Sequence, residues 1–333
     1  MGNFVRSSDH GNVRVGISGW RYAPWRGTFY PKGLLQKYEL HFASRTVNSI
    51  EINGSFYRLQ TPKSYQAWYD DTPENFIFSV KAHKEITHVK RLRNVDASIA
   101  NFFASGFLEL KHKLGPILWQ FPPTFKFDPE LFKKFLHLLP KDISSAAACA
   151  RKSERYIKPD SKEKYEDKKL RHAVEIRNES FATDEFIDLL KDADVALVIA
   201  DTAGRWPQFE EITSDFVYMR LHGDTELYRS GYSEEAIEHW FKRMKLWRDG
   251  GQPKDAKLIS PKDRAKTGDR DVYCYFDNTD KLWAPYDARK ILEKFNLASE
   301  LEDTPGKMSE KYQKKSKKKS KTSGDSSHGD LFN

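Results

Sequence analysis

The chain has 333 residues, 38% hydrophobic and 14% aromatic, with a formal net charge of +8. That is enough apolar mass for one large domain or two ordinary ones, and too much for a disordered chain. The longest aliphatic stretches, such as VALVIA, are strand-sized, so no membrane span or membrane association is expected.

Residues 1–12 are polar and carry no apolar signal segment. The two cysteines, Cys149 and Cys274, fit no metal-ligand spacing and read as reduced thiols. A soluble, cytoplasmic protein is expected. The charge is unevenly spread: Lys307 to Lys321 holds eight lysines and one glutamate, so it contributes +7 and leaves the remainder near +1. The basic character belongs to a tail, not to the folded body.

Eight short apolar runs follow in chain order: VRVGIS (13–18), VNSIEIN (47–53), FIFSVKA (76–82), PILWQF (116–121), HAVEIR (172–177), VALVIAD (195–201), FVYMRLHG (216–223) and DVYCYFDN (271–278). Most intervening segments have helical patterning, among them PELFKKFLHLL, DEFIDLLKDA, SEEAIEHWFKRMKLW and DARKILEKFNL. Ser233 before Glu235 and Ala236, and Asp128 before Pro129, read as helix caps. The links after the second and sixth runs look shorter or weaker. Eight strands alternating with helices over about 285 residues match the rhythm of a single (β/α)8 TIM barrel. A doubly wound sheet is the alternative, but no glycine-rich phosphate loop follows the first strand. The barrel is expected over 1–298 and a disordered lysine-rich tail over 299–333.

Side chains of barrel strands alternate between lumen and helix layer. Polar residues recur in phase near the ends of seven strands: Glu51 and Asn53, Lys81, Gln120, Glu175 and Arg177, Asp201, Arg220 and His222, and Asp277. In such barrels the carboxyl ends of the strands build the site. Two long charged inserts, 151–171 and 249–271, and the tail root fall on helix-to-strand connections, away from that face.

The strand ends also resemble a known family, the YecE-like domain of unknown function. The stretches that carry the resemblance include GISGWRYAPWRGTFYPKGL, VNSIEINGSFYRLQTPKSYQAW, GPILWQFPPTF, AVEIRNESF, YMRLHG and YCYFDN, within about residues 14–297. The resemblance implies a barrel with its polar strand ends as the site, and no reaction. Phe181 stands where the pattern has Trp, and Asp277 adds a carboxylate to the mouth where the pattern has Asn.

The residue types at the mouth suit a phosphate-containing ligand, a nucleic acid or a nucleotide. Lys81, Arg177 and Arg220 are candidates to clamp the anion. His222, with Glu175, Glu51 or Asp201, is the candidate proton-transfer set for hydrolysis. Asn53, Gln120, His88, Arg91, Asp277 and Asn278 are candidate polar contacts. Trp20, Tyr228 and Tyr232 are candidate stacking residues. A non-catalytic nucleic-acid or sugar-phosphate binding protein is one alternative, and a carbohydrate-active enzyme using two carboxylates another. The structural alternative is that these charges pair with one another inside the lumen. No cofactor is expected. A metal site would need His83, His88 and His222 to converge with Glu51, Glu175 and Asp201, against the positive charge of the same ring. In the tail, the lysine run suits non-specific polyanion binding, and Asp330-Leu331-Phe332 partly resembles a sliding-clamp peptide.

Overall fold

The computed structural model describes residues 11–155, 168–260, 268–277 and 282–307. Eight parallel strands close into one barrel in sequence order: β1 (Val13–Ser18), β2 (Ser49–Ile52), β3 (Ile77–Lys81), β4 (Leu114–Gln120), β5 (His172–Glu175), β6 (Ala196–Asp201), β7 (Phe216–Leu221) and β8 (Asp271–Phe276). β8 pairs with β1, so no sheet edge is left open. Every strand lies inside an apolar run of the sequence or overlaps one, because strands buried on both faces need continuous apolar residues.

The connecting helices are α1 (Glu39–Ala43), α2 (Gly54–Tyr57), α3 (Pro62–Asp71), α4 (Asp96–Phe103), α5 (Pro129–Leu138), α6 (Ile143–Ala150), α7 (Asp184–Ala193), α8 (Glu234–Arg248) and α9 (Ala284–Lys294). Ser233 caps α8 by accepting from Ala236 N–H, and Asp128 caps α5 by accepting from Leu131 N–H. Helix α3 has little apolar patterning because only Tyr65 of it is buried. It starts where Thr61 caps it and Pro62 occupies the first turn. Between β6 and β7 the described chain forms no helix. There Glu210 pairs with Arg243, and Glu211 accepts from the backbone N–H groups of Ile259 and Ser260. These contacts pin part of the second insert against the barrel.

The core divides as strand parity requires. One large cluster fills the space between strands and helices; it includes Ile50, Val80, Trp119, Val174, Ile199, Met219 and Cys274. A second, smaller cluster fills the lumen: Leu118, Ala173, Ala196, Val198, Ala200, Phe216, Tyr218, Tyr273 and Tyr275. Near mid-height Tyr275 Oη bonds the hydroxyls of Ser49 and Ser79, at 2.7 Å each. Above that level, towards the carboxyl ends, the lumen is polar.

Residues 299–303, at the start of the expected tail, lie against the amino-terminal face, where Arg45 also pairs with Glu302. Asp303 is buried, with its N–H on Arg45 O, and Gly306 N–H donates to Phe29 O at 2.8 Å. The segment thus reaches the β1–α1 connection. Residues 308–333, with most of the lysine run and the Asp330-Leu331-Phe332 end, lie outside the described residues.

Gly16 of β1 lies in the lumen phase, where a Cβ would sit 1.7 Å from Ser49 O in the neighbouring strand. The β1–β2 pairing therefore admits no side chain there. Gly16→Ala is expected to destabilise the barrel by at least about 1–3 kcal/mol, the cost of an overpacked core. Equilibrium urea unfolding checks this, and an unchanged midpoint would contradict it.

Candidate functional site

The polar top of the lumen is organised around Arg220. Its lumen phase follows from Phe216 and Tyr218 on the same strand, while Val217, Met219 and Leu221 face the helix layer. The side chain is fully buried, and three carboxylates from three other chain segments take its donors. Glu51 accepts twice, at 3.0 Å from Nε and 2.9 Å from Nη2. Glu175 accepts from Nη1 at 2.7 Å, and Asp277 from Nη2 at 2.8 Å. Ser18 Oγ and Tyr218 Oη donate to the two oxygens of Glu51 at 2.6 and 2.7 Å. Arg177 donates to the outer oxygen of Glu175 at 2.7 Å and stacks its guanidinium 3.8 Å from the Trp206 ring centroid.

The electrostatics follow from this pairing. Burial pushes the Glu175 carboxyl up, but Arg177 and Arg220 override it and hold the group well below the usual carboxylate range. Burial also works against the Arg220 charge, and the three carboxylates more than restore it. His222 is pushed down to about 3 by burial and by Arg220, with Asp277 and Glu175 opposing. It is therefore neutral. Its Nε2 lies 3.4 Å from Arg220 Nη1, which can only donate, and its buried Nδ1, 3.5 Å from Asp277 Oδ2, makes no hydrogen bond among the described residues.

Beside this network stands Lys81. Its Nζ lies 4.5 Å from the Phe56 ring centroid, and the residue is 8% exposed. Among the described residues Nζ has no ion pair. Burial and Arg220 lower the ammonium to about 8, against Glu175, Glu51 and Asp277. His88 packs edge-on against Phe56 and is lowered to about 4 by burial, Lys81 and Arg177. Its Nε2 lies 3.4 Å from the Gln120 amide nitrogen, and its Nδ1 is 2.8 Å from Thr87 Oγ1. Asn53, two residues past Glu51, has a buried Oδ1 with no hydrogen-bond partner among the described residues.

Glu51, Asn53, Lys81, Gln120, His88, Glu175, Arg177, Arg220, His222 and Asp277 therefore gather at one end of the lumen, and several other candidates do not. Asp201 shares the phase of Leu197 and Ile199, which face the helix layer. It accepts from Tyr232 Oη at 3.1 Å and Trp240 Nε1 at 3.3 Å, and burial raises its carboxyl. Tyr232 is buried in the same contact and also takes the Gly223 N–H. Trp20 is buried edge-on against Trp68. Arg91 reaches the Thr124 carbonyl. Tyr228 packs against His222 and Trp206 at the rim. Asn278 lies outside the described residues.

Of the expected anion clamp, Arg220 is engaged by carboxylates, and Arg177 by Glu175 and Trp206. His222, the expected proton-transfer residue, is fully buried, with its Nε2 3.4 Å from Arg220 Nη1. Among the described residues, no group of three His, Cys, Asp or Glu is placed to hold a metal ion. The sequence reading passed over Phe56, which covers Lys81. Its position one turn past β2, in the basic-aromatic stretch GSFYRL, was the available signal.

Arg220→Met would leave Glu51, Glu175 and Asp277 buried together without their shared cation. A loss of about 3–5 kcal/mol is expected in denaturant unfolding. The depressed Glu175 carboxyl contributes stability that is present above its ordinary value near 4.5 and is lost as pH falls below it. Unfolding midpoints measured from pH 7 down to 3 should therefore drop steeply in the parent chain. The drop should be shallower in the Arg220→Met variant.

Residues 14–311 match the family described as "Protein of unknown function DUF72". The chain is 29% identical to UPF0759 protein YunF of Bacillus subtilis over 118 residues, 34% of this chain and 41% of that protein. It is 26% identical to UPF0759 protein YecE of Escherichia coli K12 over 113 residues, 34% of this chain and 39% of that protein. The matched region thus spans about two fifths of the length of these curated relatives. A crystal structure of a DUF72 family protein from Thermotoga maritima shares the fold with TM-score 0.64 at 24% identity, covering 86% of this chain and 99% of that one. Another from Enterococcus faecalis gives 0.60 at 18% identity, covering 87% and 100%. The protein belongs to the DUF72 family, a family of unknown function.

Proposed function

We propose that the carboxyl-terminal face of the barrel binds a phosphate-containing ligand, a nucleic acid strand or a nucleotide, without hydrolysing it. The observation that carries this reading is a one-sided charge distribution. The connections after the first three strands, 19–38, 53–61 and 82–95, hold nine Lys and Arg and one carboxylate, Glu85. Lys81 lies at the end of β3 beneath this crescent. It takes the anion-contact role that Arg220 cannot fill. Apolar and aromatic side chains are exposed on the same face, including Tyr57 at 68% and Trp283 at 52%. With the Arg177–Trp206 stack they supply flat surfaces for bases.

Hydrolysis is left out of the proposal because the intended proton-transfer groups are consumed internally. A glycosidase reading needs a carboxyl kept protonated near neutral pH. Glu175 is held in the opposite direction, and Asp201, whose carboxyl is raised, faces the helix layer. The lysine run of the sequence extends the polyanion reading. A clamp-binding role for the tail end has no further support. Among the described residues no helix is long and apolar enough to cross a membrane. The unpaired Cys149 and Cys274 support placement in a reducing cytoplasm.

Fluorescence anisotropy with a labelled single-stranded oligonucleotide tests the reading, in the full chain and in a chain ending at Lys307. The shortened chain should still bind, with affinity falling as salt rises. Each phosphate contact removed, as by Arg58→Ala or Arg93→Ala, should reduce the salt slope by about 0.7. Absence of salt-dependent binding by the shortened chain to both the strand and a nucleotide would overturn the assignment to the barrel face.

A further inference from the structure

Lys81 differs from the other cations of the lumen. Arg220 is surrounded by three carboxylates and Arg177 is held by one of them, Glu175, whereas among the described residues Lys81 Nζ has no ion pair and lies over the face of Phe56. The residue is more than nine-tenths buried, at the carboxyl end of β3, where substrates enter barrels of this kind. The charged and titratable groups around it are Glu51 from β2, Glu175 from β5, Arg220 from β7, Asp277 after β8, and His88 and Arg177 from the adjoining connections. The carboxylates among them are already satisfied by arginine. A buried amine with a cation as neighbour and no anion bonded to it is a nucleophile by the chemistry of its surroundings.

We propose that Lys81 forms an imine with the aldehyde of a phosphate-bearing sugar. The proposal rests on the phosphate-ligand reading and deepens it. The basic connections after β1, β2 and β3 receive the phosphate, while the amine below meets the carbonyl carbon. The unpartnered Asn53 Oδ1 is available to accept from a sugar hydroxyl. In the reaction, the Lys81 ammonium gives up a proton and its nitrogen adds to the carbonyl carbon. The carbonyl electron pair moves to oxygen, which takes up that proton. The resulting carbinolamine loses its hydroxyl together with a second nitrogen-bound proton, as water. One ammonium and one aldehyde give one protonated imine and one water, with nothing oxidised or reduced. The lowering of Lys81 to about 8 leaves a large share of neutral amine at slightly alkaline pH, where solvated lysines are almost wholly protonated.

The aldehyde has two sources, an open-chain aldose phosphate or an abasic nucleotide within a strand. The test uses the full chain with sodium cyanoborohydride, which reduces imines to stable amines. One arm contains ribose 5-phosphate and the other a single-stranded DNA with one abasic site. Peptide mass spectrometry then measures the adduct at every lysine. The expected result is at least ten-fold higher occupancy at Lys81 than at any other lysine, in one arm or both, rising through pH of about 8. The arm that labels identifies the source. Lys81→Arg should abolish the adduct at position 81 and leave the background labelling of the other lysines as it was. Adducts spread over surface lysines with no preference for Lys81, in both arms, would overturn the proposal. If the strand binds but Lys81 is not labelled, the imine fails and the binding reading stands; if neither occurs, both fail.

Discussion

The whole polar half of this barrel depends on one buried guanidinium. Arg220 joins carboxylates that arrive from β2, from β5 and from the end of β8, and so ties four regions of the closed sheet together from the inside. Such a cluster is expensive to desolvate, and replacing it all by apolar side chains often costs nothing in stability. What it provides is geometry. Each carboxylate is held by hydrogen bonds, Glu51 by Arg220, Ser18 and Tyr218 at once, so the floor of the mouth has one arrangement.

That internal satisfaction decides what is left for a ligand. The arginines and carboxylates neutralise each other, and His222 is drawn in as a neutral acceptor. Lys81, the unpartnered Asn53 oxygen and the aromatic rim remain. The positive charge of the face lies above, in the connections after the first three strands, and it is lopsided. A rigid neutral floor beneath a basic crescent suits a ligand that lies across the rim and sends one reactive group inward.

Much of this was legible in the sequence. Apolar runs bounded by turn signals located all eight strands, because a parallel barrel leaves them no polar face. Period two then placed Glu51, Lys81, Glu175, Arg177, Arg220 and Asp277 on one side of the wall. The failures have physical causes. Asp201 was counted into the mouth although it shares the phase of Ile199; one residue of strand is enough to reverse a face. Helix α3 was missed since a helix that buries little but Tyr65 shows little periodicity. The path of residues 299–307 depends on backbone hydrogen bonds to Arg45 and Phe29, which leave no mark in residue types. Above all, sequence shows that charges share a lumen and not who bonds whom. The choice between a ring open to an anion and a ring closed on itself required distances.

The central claim is that the carboxylates of the mouth are spent on Arg220 and leave Lys81 a buried amine. The most direct measurement is the titration of Lys81 itself, read from its Cε carbon resonance in protein labelled with 13C-lysine and assigned with a Lys81→Arg variant. A midpoint near 8 is the predicted result. A midpoint at or above the ordinary lysine value of 10.5 would mean that a carboxylate pairs with Lys81 after all, and would contradict the account.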